Sequence, residues 1–474
     1  MRSVGRASAL STVDGVVRAA LGFIVSIALA RLLPPADFGV VVLAMAFTVF
    51  ASVLIDFGLS TALIRLQNAS LLDESTVFYV NCGLSIFVAG AVVVGAPFAA
   101  DFFGQPGLAG IIRLMAAGLV FTALGSIHTT LLTKQLHFGR LVLAGAVSTG
   151  VSGAIAITLA LRGHGPWSLA WQVVAQSLVS TALLWALHHW RPSRFSLDSL
   201  RRLAGFGGPL MTSGLIDVAY NQAYSLFIGR QFTTTDLGLY NRAQTMQQLP
   251  ASLLANVVQR VALPAYSQCA SEPAKLGQAL ARSLRVVMLF NLPLMAGLAA
   301  AAQTVIELLF GARWLAAVPL LKIMCIIGAI WPLNVLNLTA LLAQGHSRVF
   351  LRLELVKKAI GIGILVVTIS HGLVAVVWGQ AMAAVIAFFV NSACSGRLLA
   401  FGSLAQLKDL LPEIIGASVM ATAIILLSSK LSLSPAAKLA CLAAAGIVIY
   451  AAVIAAAAPS RLNELAHHIK AAKG

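Results

Sequence analysis

The chain has few charged residues and very few acidic ones. Aspartate and glutamate together number 15 among 474 residues, and all charged residues make up 10%. A soluble protein of this length needs a larger polar surface, which excludes a set of soluble domains. The 32 lysines and arginines give a formal net charge of +17, but they lie scattered between apolar runs. Because they form no basic domain, we expect no nucleic-acid partner.

Sequence motifs for metal, disulfide or nucleotide chemistry are also missing. The five cysteines stand singly, without a Cys-x-x-Cys pair or a cluster with histidine. No Gly-x-x-x-x-Gly-Lys-Ser/Thr loop occurs, which argues against ATP hydrolysis by this chain. The segments between apolar runs are too short to carry an external catalytic domain. We therefore predict that the protein is not an enzyme and has no metal or organic cofactor.

Long apolar runs are abundant instead. The chain is 59% hydrophobic, with a mean hydropathy of +0.92. A helix that crosses a bilayer needs about 20 mostly apolar residues and pairs its backbone polar groups within itself. The sequence therefore predicts an all-α membrane protein with about 14 transmembrane helices. The predicted spans are residues 12–33, 38–58, 77–98, 109–132, 141–161, 167–188, 206–229, 242–264, 284–306, 317–342, 353–371, 374–396, 411–430 and 436–458.

Lysine and arginine are unequally distributed between alternate loops. If the N-terminus is cytoplasmic, the inner segments and adjoining helix ends hold roughly three times as many of these residues as the outer ones. Cytoplasmic loops of membrane proteins carry such an excess. The pattern predicts that both termini face the cytoplasm.

A short sequence pattern occurs twice, between spans 1 and 2 and between spans 7 and 8. The matching pairs are each 199 residues apart: Arg31 and Arg230, Asp37 and Asp236, Gly39 and Gly238. Six spans separate the copies, so the sequence predicts two parallel, pseudo-symmetric six-helix lobes, 1–200 and 201–402. Residues 403–474 then carry a C-terminal helix pair and a cytoplasmic tail. A local alternative is that both aspartates simply cap the helices that follow them.

Two segments resemble the N-terminal signature of the polysaccharide transporter family. They are residues 30–39 (ARLLPPADFG) and 56–65 (DFGLSTALIR), and residues 236–240 and 264–267 are similar to the pattern of its second half. The family belongs to the multidrug/oligosaccharidyl-lipid/polysaccharide superfamily of transporters. The resemblance implies a two-lobed flippase fold in the bacterial inner membrane. It also implies outward transfer of undecaprenyl-diphosphate-linked oligosaccharide, for O-antigen or exopolysaccharide synthesis, by alternating access.

Further expectations come from the same resemblance. Transport is expected to be coupled to a proton or Na⁺ gradient, and the expected partners are the glycolipid, membrane lipid, a polysaccharide polymerase and a chain-length regulator. We expect a monomer. Rival interpretations are a multidrug antiporter of the same superfamily, a lipid II flippase and, from another class, a membrane-embedded glycan polymerase. The cations in the central spans disfavour the antiporter, and the short external loops disfavour the polymerase.

Arginines inside the spans are the candidate ligands for the diphosphate. Their planar guanidinium group can hold two phosphate oxygens at once. Arg18 in span 1 and Arg260 in span 8 are the leading candidates, and the resemblance implies that they meet one headgroup from opposite sides. Arg65 is a candidate at the inner entrance. The alternatives are an ion pair of Arg18 with Asp14, extension of Arg260 to the interface, and an orientation charge at Arg65.

Spans 7 and 8 are unusually polar. Tyr220, Asn221 and Tyr224 share one predicted helix face, and Gln248 and Asn256 follow in span 8, so we predict that these five contact sugars. Hydrogen bonds between packed helices would enrich the same residue types.

Acidic residues inside the spans are the candidates for ion coupling. Asp217 has no basic residue three or four positions away, and carboxylates inside a membrane often mark proton or ion pathways. We predict that Asp217 and Asp14 couple transport to the ion gradient. Asp56 precedes Phe57-Gly58, where a structural turn is expected.

Overall fold

The computed structural model describes residues 20–459 and 461, without the side chains of residues 251–261, 263, 264 and 347. Almost all of this part of the chain is helical, and it contains no β-strand. The chain divides into two compact units, Met1–Gly238 and Leu239–Gly474. The prediction of an all-α protein is therefore confirmed.

The N-terminal unit consists of helices joined by short links. They are α1 (Ala20–Leu32), α2 (Pro35–Asp56), α3 (Leu59–Arg65), α4 (Leu71–Phe103), α5 (Leu108–Lys134), α6 (Phe138–Leu161), α7 (Pro166–Leu187) and α8 (Leu197–Gln231). Helix α9 (Thr234–Gln268) begins in this unit and continues in the next.

The C-terminal unit is built in the same way. Its further helices are α10 (Pro273–Ala300), α11 (Ala302–Phe310), α12 (Val318–Ala343), α13 (Ser347–Thr368), α14 (Leu373–Leu399), α15 (Ser403–Asp409), α16 (Leu411–Lys430) and α17 (Pro435–Ala457). Short 3₁₀ turns, Ala312–Ala317 and Ile369–His371, precede α12 and α14.

Most residues of each predicted span are helical where the structure describes them. Ten helical segments there are long and apolar enough to cross a membrane. Helices α8, α9 and α13 are not among them, because polar residues interrupt their apolar runs, and α1 is described only from Ala20. The chain is thus a multi-pass membrane protein. The count of fourteen spans and the division into two six-helix lobes remain predictions.

Polar contacts fix one end of α4. Ser70 caps the helix, and its hydroxyl and backbone N–H both donate to the Asp73 carboxylate at 2.9 Å. Asp73 also pairs with Arg202 of α8. At the next residue, the indole N–H of Trp190 donates to the Glu74 carboxylate at 2.7 Å. These contacts tie the start of α4 to α8 and to the segment between α7 and α8.

The two copies of the repeated pattern contact each other within the N-terminal unit. A Cβ atom added to Gly39 would collide with the backbone carbonyl of Thr234, and one added to Gly238 would collide with that of Pro35. Thr234 is the counterpart of Pro35 in the second copy, so the contact is reciprocal. The first turns of α2 and α9 approach backbone to backbone, which only glycine permits at these two positions.

Capping explains only one aspartate of the repeat. The Asp236 carboxylate accepts hydrogen bonds from the Thr233 N–H at 3.2 Å and hydroxyl at 2.7 Å, which confirms its capping role. The capping alternative is wrong for Asp37. The N-cap of α2 is Pro34, which has no N–H to donate, and no side chain caps this helix.

A buried amide pairs with the backbone of α12 next to Pro332 in the C-terminal unit. Pro332 has no N–H, so the carbonyl of Gly328, four residues earlier, lacks its usual helix partner. The side-chain amide of Asn291, on α10, donates to that carbonyl at 3.0 Å and to Ala329 at 3.3 Å. Asn291 is completely buried. Helix α10 thus supplies the hydrogen-bond donor that the Gly328 carbonyl lacks within α12.

A cluster of ion pairs joins the C-terminal helices to α10. Asp409 lies 2.7 Å from the guanidinium of Arg285 and 3.1 Å from that of Arg461. The same Arg461 lies 3.2 Å from Glu413, in the first turn of α16. Helix α16 packs against α10, and α17 packs against α16.

Candidate functional site

Several predicted site residues lie outside the described part of the molecule. They are Asp14 and Arg18, which precede residue 20, and the side chains of Asn256 and Arg260. Their assigned roles therefore stay predictions. The remaining candidates are all described and lie on α3, α8 and α9.

Helix α8 carries an exposed polar stripe. Ser213, Asp217 and Asn221 follow one another at intervals of four residues, and all three are exposed. A charged side chain at the bilayer centre costs about 2.5–3.5 kcal/mol, so such residues usually face water-filled space. The sequence predicts this segment to cross the membrane. The stripe is therefore suited to lining an aqueous path.

The two tyrosines of α8 differ from the stripe. Tyr220 is half-buried and Tyr224 is 5% exposed, and their rings meet edge to face with centroids 6.4 Å apart. On α9, Gln248 is exposed, whereas its neighbour Gln247 is buried against Gly328 of α12. Of the described sugar-contacting candidates, Asn221 and Gln248 are thus the most accessible.

Arg65 ends α3, and its guanidinium carbon lies 4.5 Å from the centre of the Phe206 ring of α8. The residue is exposed. A cation held over an aromatic face keeps its charge while its position becomes defined. This arrangement suits both the predicted entrance role and an orientation charge.

Span 2 is broken between α2 and α3. Phe57 and Gly58 both adopt left-handed backbone conformations, with φ of 49° and 69°. The break packs closely on α8, since a Cβ on Gly58 would lie 2.6 Å from the carbonyl oxygen of Gly207. The expected turn beside Asp56 is confirmed. Broken helices in membranes occur where their freed backbone is buried in protein or lines a cavity.

A cavity of about 540 Å³ lies at this break, entirely within the N-terminal unit. Helices α2, α3, α4, α5 and α8 supply its walls. Its polar lining residues are Ser52, Asp56, Thr61, Asn81, Thr122 and Ser126. Sequence reasoning did not predict this cavity, because its lining comes from separate segments spread between residues 52 and 214.

A buried arginine was also missed. Arg242 is the first residue of the predicted span 242–264, but in the structure it lies in the third turn of α9 and is 4% exposed. Its guanidinium carbon lies 4.8 Å from the ring centre of Phe310 and 5.1 Å from that of Trp314. The aromatic partners are some seventy residues away in sequence, so no local signal indicates the contact.

The fold is a multi-pass helical bundle in which span 2 is broken and several helices contain an internal proline. Solved structures share it. A lipid II flippase, MurJ, in an inward closed conformation matches with a TM-score of 0.77 at 13% identity, covering 94% of this chain and 98% of that one. An inward-facing MATE-family multidrug resistance transporter matches with a TM-score of 0.62 at 15% identity, covering 82% and 99%. At these identities the similarity concerns the fold alone.

The chain belongs to the polysaccharide biosynthesis protein family, whose model matches residues 28–319, more than half of its length. The teichuronic acid biosynthesis protein TuaB of Bacillus subtilis is 26% identical over 88% of both chains. The succinoglycan biosynthesis transport protein ExoT of Rhizobium meliloti is 28% identical over 65% of this chain and 62% of its own. The lipopolysaccharide biosynthesis protein WzxC of Escherichia coli is 27% identical over 67% and 65%. The match to the last two spans less than two thirds of their length.

Proposed function

We propose that the protein carries undecaprenyl-diphosphate-linked oligosaccharide from the cytoplasmic to the outer leaflet of the bacterial inner membrane. Membership of the polysaccharide biosynthesis family carries the proposal, together with relatives named for succinoglycan transport and for teichuronic acid and lipopolysaccharide biosynthesis. The exposed polar stripe on α8 supports it, because a hydrated sugar chain needs such a surface inside a membrane. Transport would serve O-antigen or exopolysaccharide assembly and involve no covalent chemistry on this chain.

Basic side chains would bind the diphosphate. Arg18 and Arg260 are the proposed main ligands, and Arg65, exposed at the end of α3, would attract the headgroup at the cytoplasmic entrance. Removing a hydrogen bond to a charged group costs about 1.5–3 kcal/mol. That loss corresponds to roughly a ten- to hundredfold change in binding.

Polar side chains of α8 and α9 would contact the sugars. Asn221 and Gln248 offer accessible amides, and Tyr220, Tyr224 and Asn256 complete the proposed set. Asp217 and Asp14 would couple transport to a proton or sodium gradient. Both termini would face the cytoplasm, and a monomer would work beside a polymerase and a chain-length regulator.

The test uses the full chain in proteoliposomes that contain undecaprenyl-diphosphate-linked oligosaccharide in both leaflets. A membrane-impermeant glycosidase added outside reports which molecules become accessible with time. We expect the protein to raise the flipping rate over protein-free vesicles, and Arg18→Ala and Arg260→Ala to lower it at least about tenfold.

Arg194→Ala is the matched control, because Arg194 is an exposed arginine in the link before α8 and is assigned no role in binding. It should flip at the wild-type rate. Equal rates with and without wild-type protein would refute the proposal. Faster flipping of lipid II than of the oligosaccharide carrier would replace it with the lipid II alternative.

A further inference from the structure

The cavity at the break between α2 and α3 has an unusual balance of hydrogen-bonding groups. Three of its hydroxyls donate to backbone carbonyls of their own helices: Ser52 to Val49 at 2.7 Å, Thr122 to Gly118 at 2.9 Å and Ser126 to Ala123 at 2.8 Å. These donors are therefore engaged. Towards a ligand, these hydroxyl oxygens can therefore act only as acceptors, through their lone pairs.

Asn81 adds an acceptor that the protein leaves unused. Its amide NH₂ donates to the Ser126 hydroxyl at 3.3 Å. Its carbonyl oxygen is buried and has no hydrogen-bond partner among the described residues, and the residue is 1% exposed. A buried acceptor without a partner is unfavourable, and each such group in a native structure calls for a partner.

Asp56 gives the same cavity a negative charge. Its carboxylate accepts a hydrogen bond from the Ser60 hydroxyl, and no basic side chain pairs with it among the described residues. The carboxylate is half-buried. A carboxylate, an unused amide oxygen and hydroxyl lone pairs therefore line one space. All of them are oxygen atoms that attract positive charge.

We propose that this cavity binds a sodium ion, held by the carboxylate of Asp56 and the side-chain carbonyl of Asn81. Hard cations prefer oxygen ligands, and carboxylate, amide and hydroxyl oxygens are of that kind. A single carboxylate balances one positive charge, which favours a monovalent ion over Mg²⁺ or Ca²⁺. The cavity has room for waters that complete the coordination.

The site would link two helices at the broken point of span 2. Asp56 is the last residue of α2, directly before the two left-handed residues, and Asn81 lies on α4. A bound ion would hold the end of α2 against α4. If the protein is the ion-coupled transporter proposed above, this is a carboxylate site additional to Asp217 and Asp14. Sodium binding is measured without any glycan. The sodium site can therefore fail its test while the transport proposal passes, and the reverse.

Thermal unfolding of the purified full chain in detergent tests the proposal. Tm is compared in NaCl and in choline chloride at equal ionic strength over a concentration series. A ligand that binds only the folded state raises Tm saturably. We expect NaCl to raise the Tm of the wild type by about 3 °C or more over choline chloride.

Three variants locate the effect. Asp56→Asn should abolish the sodium response, and Asn81→Ala should raise the half-saturating concentration at least about tenfold, as loss of one oxygen ligand implies. Asp198→Asn is the control, because Asp198 is an exposed carboxylate in the same unit, outside the cavity. It should respond like the wild type.

Binding of ²²Na⁺ to wild-type protein gives a readout that does not depend on the variants folding. Saturable binding that excess NaCl displaces and choline chloride does not would support the site. Equal Tm in the two salts together with no saturable ²²Na⁺ binding would overturn the proposal. Wild-type sodium affinity in folded Asp56→Asn would overturn it as well.

Discussion

Alanine at Gly39 or Gly238 should destabilise the protein, although alanine normally favours helices. In an open helix, Gly→Ala gains about 0.8–1 kcal/mol of helix propensity. At these two positions the added Cβ would collide with the backbone carbonyl of Thr234 or Pro35. Backbone atoms cannot rotate away as a side chain can, and overpacking costs about 1–3 kcal/mol. We expect a net loss of up to about 2 kcal/mol at each position.

The control is Gly90→Ala. Gly90 lies within α4, and a Cβ added there would meet nothing within 4 Å. This variant should be as stable as the wild type or more stable. Thermal unfolding of the purified variants in one detergent, followed by intrinsic fluorescence, measures the difference.

The double variant Gly39→Ala/Gly238→Ala makes the test more specific. Because the two contacts are reciprocal parts of one interface, separating the helices once relieves both collisions. We therefore expect the double variant to lose less stability than the sum of the two single variants. If Gly39→Ala and Gly238→Ala unfold at the same temperature as Gly90→Ala, the close backbone contact is refuted.

Three further predictions concern contacts away from the repeat. Asn291→Ala should lower the free energy of unfolding by about 1–3 kcal/mol. In a Pro332→Ala background the loss should be much smaller, because the restored N–H of residue 332 can pair with the Gly328 carbonyl. Equal losses in both backgrounds would contradict the role of the amide. Asp409→Asn removes the negative charge that two partly exposed arginines share, so Tm should fall. The fall should be smaller at high salt, because salt screens the attraction that is lost. Burial, with neighbouring basic side chains, lowers the pKa of His188. The unfolded chain therefore takes up this proton first, so Tm should fall below about pH 6.5, and His188→Gln should reduce that fall.

The sequence predicted the position of the helices well because burial in lipid imposes long apolar runs. It predicted their ends less well. The apolar run from which span 77–98 was inferred lies inside α4, which extends over Leu71–Phe103. The polar residues Ser70 and Asp73 form its capping box, and such residues look like loop in a hydropathy pattern.

The candidate site was less accessible to sequence reasoning. A polar stripe on α8 follows directly from helical spacing, and the turn beside Asp56 follows from Phe57-Gly58. The cavity does not, because it depends on the α2–α3 break meeting Asn81 and Ser126 from two other helices. Which acceptors remain unused is likewise a property of packing. No local pattern distinguishes Asn81 from other asparagines inside helices.

Most of the residues that mark the family in this sequence serve to pack the backbone or to begin and end helices. Gly39 and Gly238 permit the contact between the repeats, Asp236 caps α9, and Phe57-Gly58 breaks span 2 against α8. Each of these residues acts through a contact of the chain with itself. Proteins that carry different glycans can therefore share the motifs, which explains why the motifs identify a family and not a substrate. Under the proposed function, discrimination between glycans would come from side chains outside the signature, and the exposed polar residues of α8 and α9 are the ones to exchange between relatives.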